Sequence, residues 1–292
     1  MENKFSSNGD KSFFIESDLA CERRRADVSL PGVEFTCEKA GAFSWERIKI
    51  SSDEGAQCIG RPIGNYNTLT IEKLTELDEE DIEDASNEIA KELCIMVDRL
   101  GIKPDRLLIA CLGNRELTPD SIGPRTAEKI NATMHVRNYD RTLFYDLECS
   151  EIAVCSPGVM AKTGMEATDI ISAVCDRIEP DAVIAVDSLA SRSPSRLGNT
   201  VQISDTGIIP GSGIGNCRHP LNIKTLGTPV IAIGVPTVIN TKLLPGEHDS
   251  KSNGTSNFKK EMFVSPREID TIAEISSKII AGGINQAFGI FQ

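Results

Sequence analysis

The sequence predicts an α/β protein, a mostly parallel sheet flanked by helices, with a β-rich N-terminal portion. Two patterns carry this. The short apolar runs Leu107–Leu112, Ala182–Val186 and Val230–Val235 show no inside–outside alternation, which marks strands covered on both faces. Between them lie segments whose apolar residues recur every three or four positions, and that alternation of strand and helix builds a parallel sheet.

Taken in order, residues 1–12 are polar and read as a leader. Phe13, Phe14 and Ile15 then form a short apolar cluster. It suits a first strand docking on the core or a cleavable segment, and composition leaves both open. Val33 to Ile71 is β-rich, with Trp45, Ile48 and Ile50 among charged residues and Gly60, Pro62 and Gly64 as punctuation. Asp78 to Leu100 is an amphipathic helix with Ile82, Ala85, Ile89, Leu93, Met96, Val97 and Leu100 on one face. Acidic residues crowd its first turn, and Gly101 stands just past its end.

Asp120 to Thr133 is expected to be helical and Ile152 to Cys155 a buried strand. Glu166 to Ile178 places Ala167, Ile170, Ile171 and Val174 on one helical face. Ser265-Pro266-Arg267-Glu268 has the form of a capping box. The helix it opens is expected to end near Gly282. Pro245 to Lys260, rich in Gly, Ser, Asn and Lys, reads as a surface excursion.

Composition excludes several classes. A net charge of −12 does not suit a nucleic-acid-binding face. No apolar run approaches the roughly 20 residues of a membrane span, and the N-terminus lacks an apolar signal core. The chain is expected to stay in the cytoplasm. Its 9 cysteines form no C-x-x-C pair, which reads as reduced thiols. Its 3 histidines, His135, His219 and His248, make no metal-binding pattern. No metal and no cofactor are expected.

Ligands of open parallel sheets bind beyond the carboxyl ends of the strands. Four polar segments follow the apolar runs: Gly113–Asp120, Ser156–Met160, Asp187–Ser193 and Gly234–Thr237. Two bring a carboxylate, Asp120 and Asp187. Two carboxylates in one confined site split their pKa values, leaving one as acid and the other as base. That pair suffices for amide hydrolysis through water. The same residues also suit structural roles, Asp120 as a first-turn acid and Asp187 as a turn residue.

Gln202 to Asn216 is a denser run, with Gly211, Gly213 and Gly215 able to bring backbone amides close to a ligand. The spacing is not that of a dinucleotide loop, and a substrate-lining loop or a tight crossing fits better. Ser156, Ser188 and Ser212 sit in similar loops, but none lies in a G-x-S-x-G elbow.

Several motifs together resemble the germination protease family. They are Thr118-Pro119-Asp120 with Gly123-Pro124; Ser156 to Met160 followed by Thr163-Gly164 and Thr168-Asp169; Ala185 to Ala190; Gln202 to Asn216; Gly227 to Thr237; and Ile284-Asn285. The resemblance runs from about residue 16 to the end. It implies an atypical aspartic-type endopeptidase whose fold is related to that of hydrogenase-maturation proteases, with Asp120 and Asp187 as catalytic residues. Ser156, Gly158, Ser204, Asp205, Gly211, Ser212 and Gly213 are the expected substrate-binding positions.

The resemblance further implies a homotetrameric zymogen in the forespore that digests small acid-soluble spore proteins on germination. It divides the chain into a pro-segment, residues 1–15, and one peptidase domain, residues 16–292. Asp18, Leu19, Ala20 and Glu22 match the pattern after the pro-segment, while Glu16 and Ser17 replace its Arg and Thr. Processing is therefore expected within Phe14, Ile15, Glu16 and Ser17. Two other readings remain at this stage: a metal-assisted protease using His219 with an Asp, and a non-catalytic phosphate or small-molecule binding protein built on Gly211–Gly215.

Overall fold

The computed structural model describes residues 17–23, 30–215, 218–241 and 262–289. The leader, the apolar cluster at Phe13–Ile15, Glu16, Asn216, Cys217, His248 and the excursion at Pro245–Lys260 lie outside these residues.

The strands are β1 (Val33–Ala40), β2 (Phe43–Ile50), β3 (Gly64–Ile71), β4 (Arg106–Cys111), β5 (Glu151–Cys155), β6 (Ala182–Ser191), β7 (Thr200–Ser204), β8 (Val230–Asn240) and β9 (Phe263–Val264). The helices are α1 (Asp53–Ile59), α2 (Glu79–Leu100), α3 (Ile122–Ala127), α4 (Met134–Tyr139), α5 (Arg141–Asp146), α6 (Met160–Thr163), α7 (Ala167–Ile178), α8 (Ile223–Leu226) and α9 (Ile269–Phe288). Among the described residues no helix is long and apolar enough to cross a membrane.

One mixed sheet runs in the order β1-β2-β3-β7-β8-β6-β4-β5, with β9 on β8. Strands β8, β6, β4 and β5 are parallel, as the apolar runs predict. The β-rich N-terminal portion continues the same sheet in antiparallel pairing through β7. One apolar core lies between the sheet and α2, α3 and α9, and spans both halves. A second packs α7 and α8 on the opposite face of the parallel strands. A third joins Ala20, α1 and the strands β2 and β3.

The long helix forms where expected. Asp78 is its N-cap, closing a reciprocal box with Asp81, and Gly101 ends it in the left-handed conformation at φ 66°. Four expectations need correction. The helix expected from Asp120 to Thr133 shrinks to α3, because Thr118–Asp120 forms its own 3-10 turn first. The β-rich stretch is interrupted by α1, capped by the Ser52 side chain. Ser265–Glu268 does not cap the last helix: the N-cap is Glu268, without a side-chain bond, because the chain must first leave β9.

The fourth correction concerns the end of that helix. It passes through Gly282 and Gly283 to Phe288. The two glycines serve as a contact surface: a Cβ on Gly283 would lie 2.5 Å from Ile89 Cγ2, and one on Gly282 2.5 Å from Ser86 Oγ. They let α9 lie directly on α2.

Candidate active site

Strand β4 stops at Cys111 while β6 runs on to Ser191, so the sheet opens a step beside β6. Leu112 still donates its N–H to Val186 O (2.8 Å), and the chain then turns away at Gly113, φ 110°. The turn closes on itself: Asn114 N–H donates to Asp120 O (2.8 Å) and Asp120 N–H to Leu117 O (2.7 Å). A Cβ on Gly113 would sit 2.2 Å from Asp120 O, so only glycine lets the turn return this closely. The result presents Asp120 over the end of β4, beside Asp187 on β6. The segments Asp187–Ser193 and Gly234–Thr237, expected beyond strand ends, lie within or at the end of the longer strands β6 and β8.

A cavity of about 390 Å³ occupies the step, and Asp18, Asp120 and Asp187 all line it. Asp187 is 5% exposed, and its Oδ1 accepts the Ser188 N–H (2.8 Å). Burial pushes its carboxyl well above the usual 3.8, and the charges of Asp120 and Asp18 push it further, against the Ser188 amide. Burial also raises Asp120 to about 6, partly offset by the Asn114 backbone amide. The pair is thereby set apart, Asp120 giving up its proton first and Asp187 holding its own. That arrangement has the chemistry of one base and one acid in a single cleft.

The chain's N-terminal described segment enters the same cleft. Ser17, Leu19 and Ala20 are buried. Arg61 donates to Ser17 O (2.9 Å), Ala20 N–H to Gln202 Oε1 (2.8 Å) and Gln202 Nε2 to Asp18 O (3.2 Å). Glu22 accepts the Ser17 and Ser191 hydroxyls and the amides of Arg192 (2.7 Å) and Ser193 (3.0 Å). The expected processing position Ser17 is thus held by Arg61 and Glu22, next to the cleft-lining Asp18, while Phe14, Ile15 and Glu16 lie outside the described residues.

The expected substrate-binding residues divide. Gly158, Gly211 and Gly213 line the main cavity. Ser204 and Ser212 line a smaller neighbouring one of about 70 Å³, which Asp18 shares. Ser156 is exposed at the end of β5, outside the lining of both. Asp205 holds the sheet, accepting the Asn65 amide (2.7 Å) and side chain (2.5 Å). The glycine loop that could cradle an anion already holds one from its own chain: the Ser212 hydroxyl donates to Asp18, and a Cβ on Gly213 would lie 2.2 Å from Asp18 Oδ2. His219 is exposed. Among the described residues no group of three or more His, Cys, Asp or Glu is placed to hold a metal.

Sequence reasoning missed Asp18 and Arg218 as cleft residues. Arg218 lines the cavity, paired with Glu166 at 3.3 Å. Asp18 matched the pattern after the pro-segment, but nothing local in the sequence put it in the cleft: Ala190, Gln202 and Ser212, which hydrogen-bond it, lie more than 170 positions away.

Comparison with known proteins places this chain among the peptidases. Proteins named germination protease are 35% identical in Caldanaerobacter subterraneus subsp. tengcongensis (94% of each chain covered) and 34% identical in Clostridium acetobutylicum (94% of each). That of Bacillus subtilis is 40% identical over 86% of this chain and 69% of its own. A germination protease family profile matches residues 13–246, and the chain belongs to that family. Among solved structures, a [NiFe] hydrogenase maturation protease, HycI from Thermococcus kodakarensis, matches with TM-score 0.32 and 19% identity, covering 61% of this chain and 91% of that one.

Proposed function

We propose that the protein hydrolyses peptide bonds with Asp120 and Asp187 as a one-proton pair. The observation that carries this is the joint lining of one cavity by two carboxylates, both raised by burial, with Asp187 raised further by the charge of Asp120. Ionised Asp120 takes a proton from water as the oxygen adds to the substrate carbonyl carbon. Asp187 gives its proton to the carbonyl oxygen. As the intermediate collapses, the proton on Asp120 passes to the leaving nitrogen, the C–N bond breaks, and the hydroxyl proton returns to Asp187.

The substrates are small acid-soluble spore proteins, and the enzyme acts in the spore core. Residues 1–15 are a pro-segment removed by the enzyme's own site, residues 16–292 form one peptidase domain, and the protein assembles as a homotetramer. Family membership supports these assignments. The presence of Asp18 in the cleft lining, directly after Ser17, supports processing there.

The test uses wild type, Asp120→Asn, Asp187→Asn and a chain beginning at Ser17, each incubated with a small acid-soluble spore protein. Mass spectrometry follows both the substrate and the enzyme's own N-terminus. Cleavage by the Ser17 chain, lost when either Asn change is added to it, supports the pair. Undiminished cleavage by the Asn variants rules it out.

A further inference from the structure

Among the described residues, two buried side-chain oxygens of cleft-lining residues have no hydrogen-bond partner, Ser188 Oγ and Thr237 Oγ1. Thr237 is 0% exposed. Its position is unusual in the sheet. Along β6 and β8, Leu189 pairs with Pro236 and Ala190 with Val238, so Thr237 is the extra residue of a bulge. Pro236 lacks an N–H for the ladder, which is why a central strand tolerates it only at such an irregularity. Its carbonyl is taken by Gly198 N–H (2.8 Å). Bulges re-aim a side chain beside a site.

A buried hydroxyl without a partner lowers stability, and valine, of nearly the same shape, would avoid that cost. Strand packing therefore does not account for the hydroxyl. The cavity offers a reason: Thr237 belongs to the lining it shares with Asp120 and Asp187, where a peptide entering the step brings backbone N–H and C=O groups that need partners.

We propose that the Thr237 hydroxyl is a substrate-binding group that hydrogen-bonds the backbone of the peptide at the bond to be cut, with Ser188 Oγ beside Asp187 as a second such group. The proposal rests on the reading of this cleft as the proteolytic site. Ser188 acts here as a binding group; its own N–H is committed to Asp187 (2.8 Å).

The experiment compares Thr237→Val, Thr237→Ser and Ser188→Ala in the Ser17 chain, measuring kcat/KM on a small acid-soluble spore protein together with melting temperature. Thr237→Val is expected to lose roughly ten- to a hundredfold in kcat/KM, the scale of one hydrogen bond plus an unpaired substrate group, with a melting temperature equal to or above wild type. Thr237→Ser is expected to keep most activity, and Ser188→Ala to lose a smaller factor. Equal activity in Thr237→Val and wild type overturns the proposal, and so does an equal loss in the Val and Ser variants, which would make shape the cause. If Thr237→Val does not fold, Thr237→Ala against Thr237→Ser decides the same question. Activity surviving in the Asp120→Asn and Asp187→Asn variants would defeat the proteolytic pair separately, whatever Thr237 does.

Discussion

Asp18 and Ala190 are tied in both directions: Asp18 N–H donates to Ala190 O, and Ala190 N–H donates to the Asp18 carboxylate, each at 2.9 Å. The tie fixes a third carboxylate in the cleft, where its charge adds to the burial and the Asp120 charge that raise the pKa of Asp187. Replacing Asp18 by Asn removes that charge, so Asp187 should give up its proton at lower pH. The alkaline limb of the pH–kcat/KM profile is expected to move to lower pH, with the acid limb in place. An alkaline limb that stays fixed would separate Asp18 from the Asp120–Asp187 pair.

The wild-type profile itself should be bell-shaped. Activity rises through about pH 6 as Asp120 ionises and falls at higher pH when Asp187 loses its proton. Rates measured on the Ser17 chain from pH 4 to 10 check this. An acid limb near the ordinary value of 3.8 would mean that Asp120 is not the buried base.

Stability should carry the opposite signature to that of most acidic groups. Asp187 binds its proton more tightly folded than unfolded. Its contribution is therefore fully present below the ordinary value of 3.8 and is lost as pH rises towards the folded value. Asp187→Asn, neutral throughout, is expected to melt at a higher temperature than wild type at pH 8. The difference should shrink towards zero near pH 4. Calorimetry at the two pH values decides it, and a constant difference would contradict the burial of the charge.

Gly283→Ala tests the contact between the two long helices. The new methyl would lie 2.5 Å from Ile89 Cγ2 and 3.1 Å from Ser86 O. With backbone on one side it cannot simply move aside, and a loss of about 1–3 kcal/mol is expected from overpacking. Chemical denaturation measures it, and an unchanged midpoint would show that α9 can shift on α2.

The parallel strands were legible because burial on both faces leaves an unbroken apolar run, as in Ala182–Val186. Asp120 and Asp187 were legible because each follows such a run. The antiparallel strand β7 was not, since Thr200–Ser204 mixes polar and apolar residues beside a glycine-rich stretch and is buried by neighbours distant in sequence. Asp18 is placed by Ala190, Gln202 and Ser212, contacts that no local pattern encodes. Thr237 left one faint mark, the proline before it in a central strand. The helix ending expected at Gly282 failed because glycine at a helix crossing and glycine at a helix end look alike until the partner helix is seen.

Strand β6 changes character at a single residue. Up to Val186 its side chains alternate between the two apolar cores, and from Asp187 onward Asp187, Ser188, Leu189 and Ala190 all border the cleft. In a random mutagenesis screen the two halves of this one strand should therefore sort into different phenotypes. Polar changes at Val183–Val186 should deplete the amount of protein recovered, whereas changes at Asp187–Ala190 should more often leave protein of normal yield that has stopped working. The boundary between those phenotypes would trace the edge of the cleft without any substrate bound.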